Sequence, residues 1–257
     1  MNLKKELEEF FRYFKNALER IKYISDLCNK SDQPFPQRYY YWLDAIILTI
    51  CYLDSLTSFR YGTSGKSFVK FIQTYPDEKY SRWYKKVSCW FLDNPPLGKD
   101  GRPLDKIRNL DISSIRKRLY NDEKDYENIM KNEYSIGEAY RKVSNLVDKE
   151  TLNIFTYGFY FYLWYRCFLI HKTQVPIGIS SSKEPYYDNI AGSKKIVFPP
   201  AFIIGTFESS IKNFQDEINK LLSKEEDLEK YKNKYEFFKE KFGIKDQFFE
   251  NFLAYGI

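Results

Sequence analysis

Leu3, Leu7, Phe10, Phe11, Phe14, Leu18, Ile21 and Ile24 recur at three- and four-residue intervals with Lys, Glu and Arg between them, which is the period of a helix with one apolar face. The pattern predicts an amphipathic helix over 3–28. Two prolines and an aspartate within Ser31–Pro36 interrupt it, and Pro36 is suited to opening a second helix, from about Gln37 to Phe59. Gly62 and Gly65 punctuate that helix, after which Ser67–Tyr75 and Glu78–Leu92 return to helical spacing. Asp93–Arg102 (DNPPLGKDGR) is the clearest loop in the chain. The stretch from there to Asp148 is more polar and weakly periodic, a candidate inserted helical subdomain at about 93–148.

From Lys149 the spacing predicts a helix of about 22 residues reaching His171, closed by Pro176 and Gly178. Pro185–Phe198 places two strand-like runs on either side of Ala191-Gly192-Ser193, a hairpin signal. Pro199-Pro200 begins a further helix with Phe202, Ile203, Phe207, Ile211, Phe214 and Ile218 as its stripe. A charged helix over Glu225–Phe242 and an apolar tail, Phe248–Ile257, follow. No repeat recurs at a fixed period. The fold class is all-α: a helical bundle in one domain over 1–257, with a small β-hairpin and additional helices at about 183–257.

Composition narrows the class. The 257 residues are 43% hydrophobic and 19% aromatic, with 23 Tyr and 22 Phe against 11 Gly, which excludes a disordered or low-complexity chain. Lys and Arg number 41 against 35 Asp and Glu, a formal charge of +6; this suits a polyanionic partner without requiring one. Cys28, Cys51, Cys89 and Cys167 are widely spaced and His171 is the single histidine, so neither a metal site nor a disulfide framework is expected. No cofactor is expected either. The N-terminal MNLKKELEEFFRYF alternates charged and apolar residues and carries no export pattern. The apolar stretches Tyr41–Leu56 and Leu152–Ile170 are interrupted by Asp44, Asp54, Asn153 and Arg166. They read as core helices of a cytoplasmic protein without a membrane partner.

Three constellations bear on chemistry. Gly62-Thr63-Ser64-Gly65-Lys66-Ser67 resembles a phosphate-binding loop only superficially, because Arg60 occupies the position of its first glycine and a helix precedes it; a helix-capping turn is expected. Asp44 and Asp54 stand in an apolar helix, where a charge needs solvent or a cation. Ten residues rotate them roughly 80° apart, so they are not a paired acid and base, and Arg166 or Arg60 is the natural recipient of one of them. In Trp164-Tyr165-Arg166-Cys167-Phe168-Leu169-Ile170-His171, an arginine inside an apolar helix must find an anion, and a histidine at a helix C-terminus holds its proton more tightly. A structural Arg–Asp pair with a capping histidine would also satisfy these residues. Five positions place Arg166 and His171 about 140° apart, so they converge on a ligand from two edges of a face or across a symmetric interface.

The Arg-x-x-x-x-His pattern at the end of a core helix resembles the signature of the HEPN superfamily, the higher-eukaryote and prokaryote nucleotide-binding domains. Leu53-Asp54-Ser55-Leu56, Phe59-Arg60-Tyr61-Gly62 and Phe68-Val69-Lys70-Phe71 look like a stretch found in its bacterial and archaeal members. The resemblance implies a HEPN-like bundle that cleaves RNA as a homodimer without metal. His171 would act as general acid or base on the ribose 2′-hydroxyl or the leaving 5′-oxygen, and Arg166 would stabilise charge on the scissile phosphate. From the cost of burying its charge, and not from the resemblance, Asp54 would hold the arginine in place; Arg60 would touch the substrate or support the residues that do, and Tyr162 would flank the cleft or stack on a base, alternatively being core packing. A cognate antitoxin or a defence setting would fit this class. Many members carry a polar residue where this chain has Cys167. The competing expectations are an inactive helical module that binds nucleotide, RNA or protein, and a purely structural bundle.

Overall fold

A computed structural model of the chain describes residues 3–28, 37–97, 101–121, 123, 125–168, 182–190 and 193–244. These residues are predominantly helical with one two-stranded antiparallel hairpin. The chain divides into two compact units, Met1–Asp77 with Pro200–Ile257, and Glu78–Pro199. The segment 93–148 lies inside the second.

In the first unit α1 (Leu3–Cys28) follows the expected bounds and buries Leu3, Leu7, Phe10, Phe14, Leu18 and Ile21. It packs on α2 (Gln37–Tyr61), on the long helix Pro200–Leu222 and on the short helix Lys234–Phe242. Phe rings interlock at their centre: Phe10 meets Phe59 edge-on at 4.8 Å and Phe238 at 5.2 Å, and Phe214 lies 6.2 Å from Phe238. Each buried ring contributes about 1.5–3 kcal/mol relative to exposure. By length and composition, Tyr40–Tyr61 within α2 is the one described helix apolar enough to cross a membrane, and half of its most apolar window is buried. Its buried hydroxyls cost nothing in unmet hydrogen bonds, since Thr49 and Thr57 donate to the carbonyls of Ala45 and Leu53 at 2.6 and 2.8 Å. The glycine-rich turn after it is a helix start. Gly62 takes φ 84°, a left-handed conformation that glycine adopts without strain. Ser64 caps α3 (Gly65–Thr74) by accepting from the Ser67 N–H at 3.1 Å.

The final helix is shorter than expected. Asn233 caps it by accepting from the N–H groups of Tyr235 and Glu236 at 2.9 and 3.1 Å, so the helix begins at Lys234, and Gly243 ends it at φ 65°.

In the second unit the periodic stretches over 78–92 and 149–171 are each broken. α4 (Glu78–Tyr84) and α5 (Cys89–Asp93) are separated by Lys85–Ser88, whose backbone is claimed by distant partners. Val87 N–H donates to Tyr134 O at 2.9 Å, Ser88 N–H to Phe155 O at 2.8 Å, and Tyr157 N–H to Lys86 O at 3.0 Å. These bonds also break the other stretch. Lys149–Leu152 and Asn153–Phe155 form two short turns, and a new helix starts at Tyr157, capped by the Thr156 hydroxyl. Around this junction Asp111, Asp125, Ser135 and Asp148 each cap a short helix with a side-chain oxygen, and Ser135 forms a capping box with Glu138. The hairpin pairs β1 (Tyr186–Ile190) with β2 (Ser193–Val197), with Asp188 opposite Lys195.

Candidate functional site

Arg166 lies on the helix that starts at Tyr157. After one and a half turns the helix widens into a π-helical segment, Tyr162–Phe168, a geometry that is rare and concentrated at functional positions. The buried face is aromatic: Phe161 stacks on Tyr165 at 4.9 Å, and Phe198 meets both rings edge-on at 5.1 and 5.4 Å. Two hydroxyls fasten the hairpin to this face. Tyr160 donates to Ile196 O at 3.2 Å, and Tyr165 accepts from the Phe198 N–H at 2.8 Å. The wide turn is therefore held by packing and by satisfied polar groups at once.

On the flank of that face, Arg166 is half-buried with its Nε shielded from solvent, and its guanidinium carbon lies 5.8 Å from the Tyr162 ring centre. That distance is at the outer limit of a cation–π contact. Tyr162 and Arg166 are thus brought together. His171 lies outside the described residues.

Asp54 and Arg60 belong to the first unit, Arg166 and Tyr162 to the second. The carboxylate that Arg60 takes is Glu217, through Nη2 at 3.1 Å and Nε at 3.3 Å. Its Nε also donates to the Tyr75 hydroxyl at 2.5 Å, and Tyr75 in turn donates to Glu217. The guanidinium is stacked between Tyr61 at 4.5 Å and Phe242 at 4.3 Å. Burial, then the bond to the Glu217 carboxylate, raises the Tyr75 hydroxyl well above its ordinary pKa. These contacts line an open cavity of about 390 Å³ with Asn213, Asp216 and Lys220. Its lining charges are balanced, Arg60 and Lys220 against Asp216 and Glu217, and the contacts of Arg60 join α2 to the helices carrying Glu217 and Phe242.

Two features of the second unit were not legible in the sequence. Glu133 is buried in the core, where its Oε1 accepts the Cys89 N–H at 2.8 Å and so holds the start of α5. Burial pushes its carboxyl up to about 7, against the opposing influence of Tyr157, Cys89 N–H and Lys86. The second is charge. Residues 78–199 contain 21 Lys and Arg against 15 Asp and Glu, and the remaining residues contain 20 of each, so the entire formal charge of +6 belongs to the unit that bears Arg166. Simple counting would have found the charge had the boundaries been known; Glu133 stands in a polar stretch with no local sign of burial. Among the described residues no group of three or more His, Cys, Asp or Glu side chains is arranged to hold a metal ion. In comparisons with known proteins the chain matches no family model, no curated protein and no solved structure.

Proposed function

We propose that the chain is a metal-independent endoribonuclease of the HEPN type that acts as a homodimer, with Arg166 and His171 as its catalytic pair. The observation that carries the reading is the placement of Arg166: half-buried on a π-helical turn that two tyrosine hydroxyls and a stacked aromatic core hold in place, in the unit that bears all of the net positive charge. A guanidinium so positioned suits a phosphate that gains charge in a transition state. His171 takes the proton of the ribose 2′-hydroxyl as O2′ attacks phosphorus. The P–O5′ bond then breaks as a histidinium, His171 of this or of the second copy, gives a proton to O5′, leaving a 2′,3′-cyclic phosphate and a 5′-hydroxyl. The ordinary imidazole pKa of about 6.5 suits both proton transfers near neutrality. RNA, a second copy of the chain and a cognate antitoxin are the partners on this reading.

Incubation of single-stranded RNA with the full chain in EDTA tests it. The wild type is expected to give cyclic-phosphate ends, and His171→Ala and Arg166→Ala to lose at least 100-fold in rate, the lower range for a positioned acid–base group. Cleavage by His171→Ala at the wild-type rate overturns the assignment. The solvent shielding of Arg166 Nε favours a second reading, an inactive module that binds RNA or nucleotide. RNA retained by the wild type without any cleavage would select it.

A further inference from the structure

We infer that the first unit carries a binding site for a long-chain carboxylate, a molecule with one flexible hydrocarbon chain and one anionic head, in the cavity between α1, α2 and the short helix Lys234–Phe242. This goes beyond the ribonuclease reading and stands without it.

The cavity measures about 440 Å³, within the range of sites that enclose most of a small ligand. Its α2 wall is a single stripe: Leu48, Tyr52, Ser55 and Phe59 follow one another at four-, three- and four-residue intervals and so share one face of the helix. Phe59 is buried, as are Phe10 and Phe14 of α1, which close the base. Leu48, Tyr52 and Ser55 are half-buried, and Tyr13 at the outer edge is 50% exposed. The Ser55 hydroxyl donates to the Cys51 carbonyl at 3.0 Å, so this wall offers a ligand mainly hydrocarbon and ring carbon.

Two features fix the ligand class. The lining rings that touch one another meet at steep angles, Phe10 with Phe59 at 80°, Phe14 with Tyr52 at 82° and Tyr13 with Tyr52 at 70°. None of these pairs makes a parallel slot for a flat ring system, whereas a flexible chain follows an irregular wall and gains from each methylene it buries. The second feature is charge. Glu9 and Lys234 are the charged residues of the lining. Glu9 is engaged by Arg12 at 3.8 Å, one turn along α1. Lys234 forms no ion pair within 4 Å among the described residues: its backbone N–H goes to Glu6 at 3.0 Å, and its ammonium lies 4.9 Å from the Tyr235 ring centre. The charge left unspent beside the apolar wall is therefore positive, which matches an anionic head and opposes a cationic one. Lys234 is half-buried, and a lysine stem lies along apolar surface while its ammonium stays at the water's edge, where a carboxylate would also remain hydrated.

Isothermal titration calorimetry of the full chain with decanoate, dodecanoate and tetradecanoate, each below its micelle concentration, tests the site. One molecule is expected to bind per chain, with affinity rising by up to about 4-fold for each added methylene until the cavity is filled. Lys234→Gln is expected to weaken dodecanoate by roughly 2- to 5-fold, the range of a partly exposed ion pair, and to leave dodecanol unchanged. Ser55→Phe places a ring in the cavity and is expected to weaken dodecanoate by at least about 10-fold, the loss of roughly two buried methylenes. Leu48→Trp, two turns earlier on the same stripe, keeps the test decisive if Ser55→Phe does not fold. Affinity unchanged in both filling variants overturns the proposal, as does affinity that does not vary with chain length, or dodecyltrimethylammonium bound as tightly as dodecanoate. Absence of saturable binding overturns it too and leaves the cavity to another occupant, such as the apolar segment Phe248–Ile257. Affinity that falls as the protein concentration is raised assigns the face to a second copy instead, and likewise overturns it.

Discussion

Glu133→Gln should abolish a pH dependence of stability that resides in the second unit. The carboxyl is pushed from an ordinary 4.5 up to about 7 by burial. The sign follows from which state holds the proton. Below about pH 4.5 Glu133 is protonated in both the folded and the unfolded chain and costs nothing. Between 4.5 and 7 the unfolded chain ionises while the folded chain keeps its proton, so folding loses about 1.4 kcal/mol per pH unit. Above 7 both states are ionised and the penalty is complete, about 3 kcal/mol for a shift of that size. Glutamine preserves the oxygen that accepts the Cys89 N–H and carries no charge, so it removes the penalty without removing the anchor. Urea unfolding of wild type and variant at half-unit steps from pH 5 to 8 should show the variant gaining on the wild type as pH rises, by about 2.5 kcal/mol across the range. A difference that stays constant with pH, or that shrinks toward pH 8, refutes the reasoning.

Tyr165→Phe removes the hydroxyl that accepts the Phe198 N–H at 2.8 Å and leaves that buried donor unmet. A loss of about 1–3 kcal/mol is expected in chemical denaturation. Arg60→Ala and Glu217→Gln, combined in a double-mutant cycle, should give a coupling of about 0.5–1 kcal/mol, because the pair is only partly screened from water, with side-chain exposures of 21% and 32%. RNA cleavage should not respond to Arg60→Ala beyond the loss of stability, and a selective loss of cleavage in a fully folded Arg60→Ala would return that residue to the substrate site.

The long elements were legible because their information is local. The three- and four-residue spacing of Leu3 to Ile24 and of Phe202 to Ile218, and the two strand-like runs on either side of Ala191-Gly192-Ser193, each specify an element from side chains a few residues apart. The dismissal of a phosphate-binding loop at Gly62–Ser67 rested equally on local pattern, and Ser64 caps the helix there. Of the candidate site, the sequence pointed to Arg166 and Tyr162 as neighbours one turn apart, which their positions on the π-helical segment accord with. His171 lies outside the described residues.

What only the tertiary structure decided has one cause: backbone and side-chain groups whose partners are distant along the chain. Lys85–Ser88 has the spacing of a helix, yet it leaves helical geometry because Tyr134, Phe155 and Tyr157 take its backbone hydrogen bonds, and the same pairing restarts the helix bearing Arg166 at Thr156. Glu133 reads as one more surface carboxylate until the core closes over it. Arg60 finds Glu217, 157 residues away, and Lys195 finds Trp164 only once two tyrosine hydroxyls have seated the hairpin. Periodicity and capping chemistry were therefore sufficient for α1, α2, the helix Pro200–Leu222, the hairpin and the fold class. Long-range hydrogen bonding and burial determined where the helices break, which charges are spent, and which side chains flank the arginine.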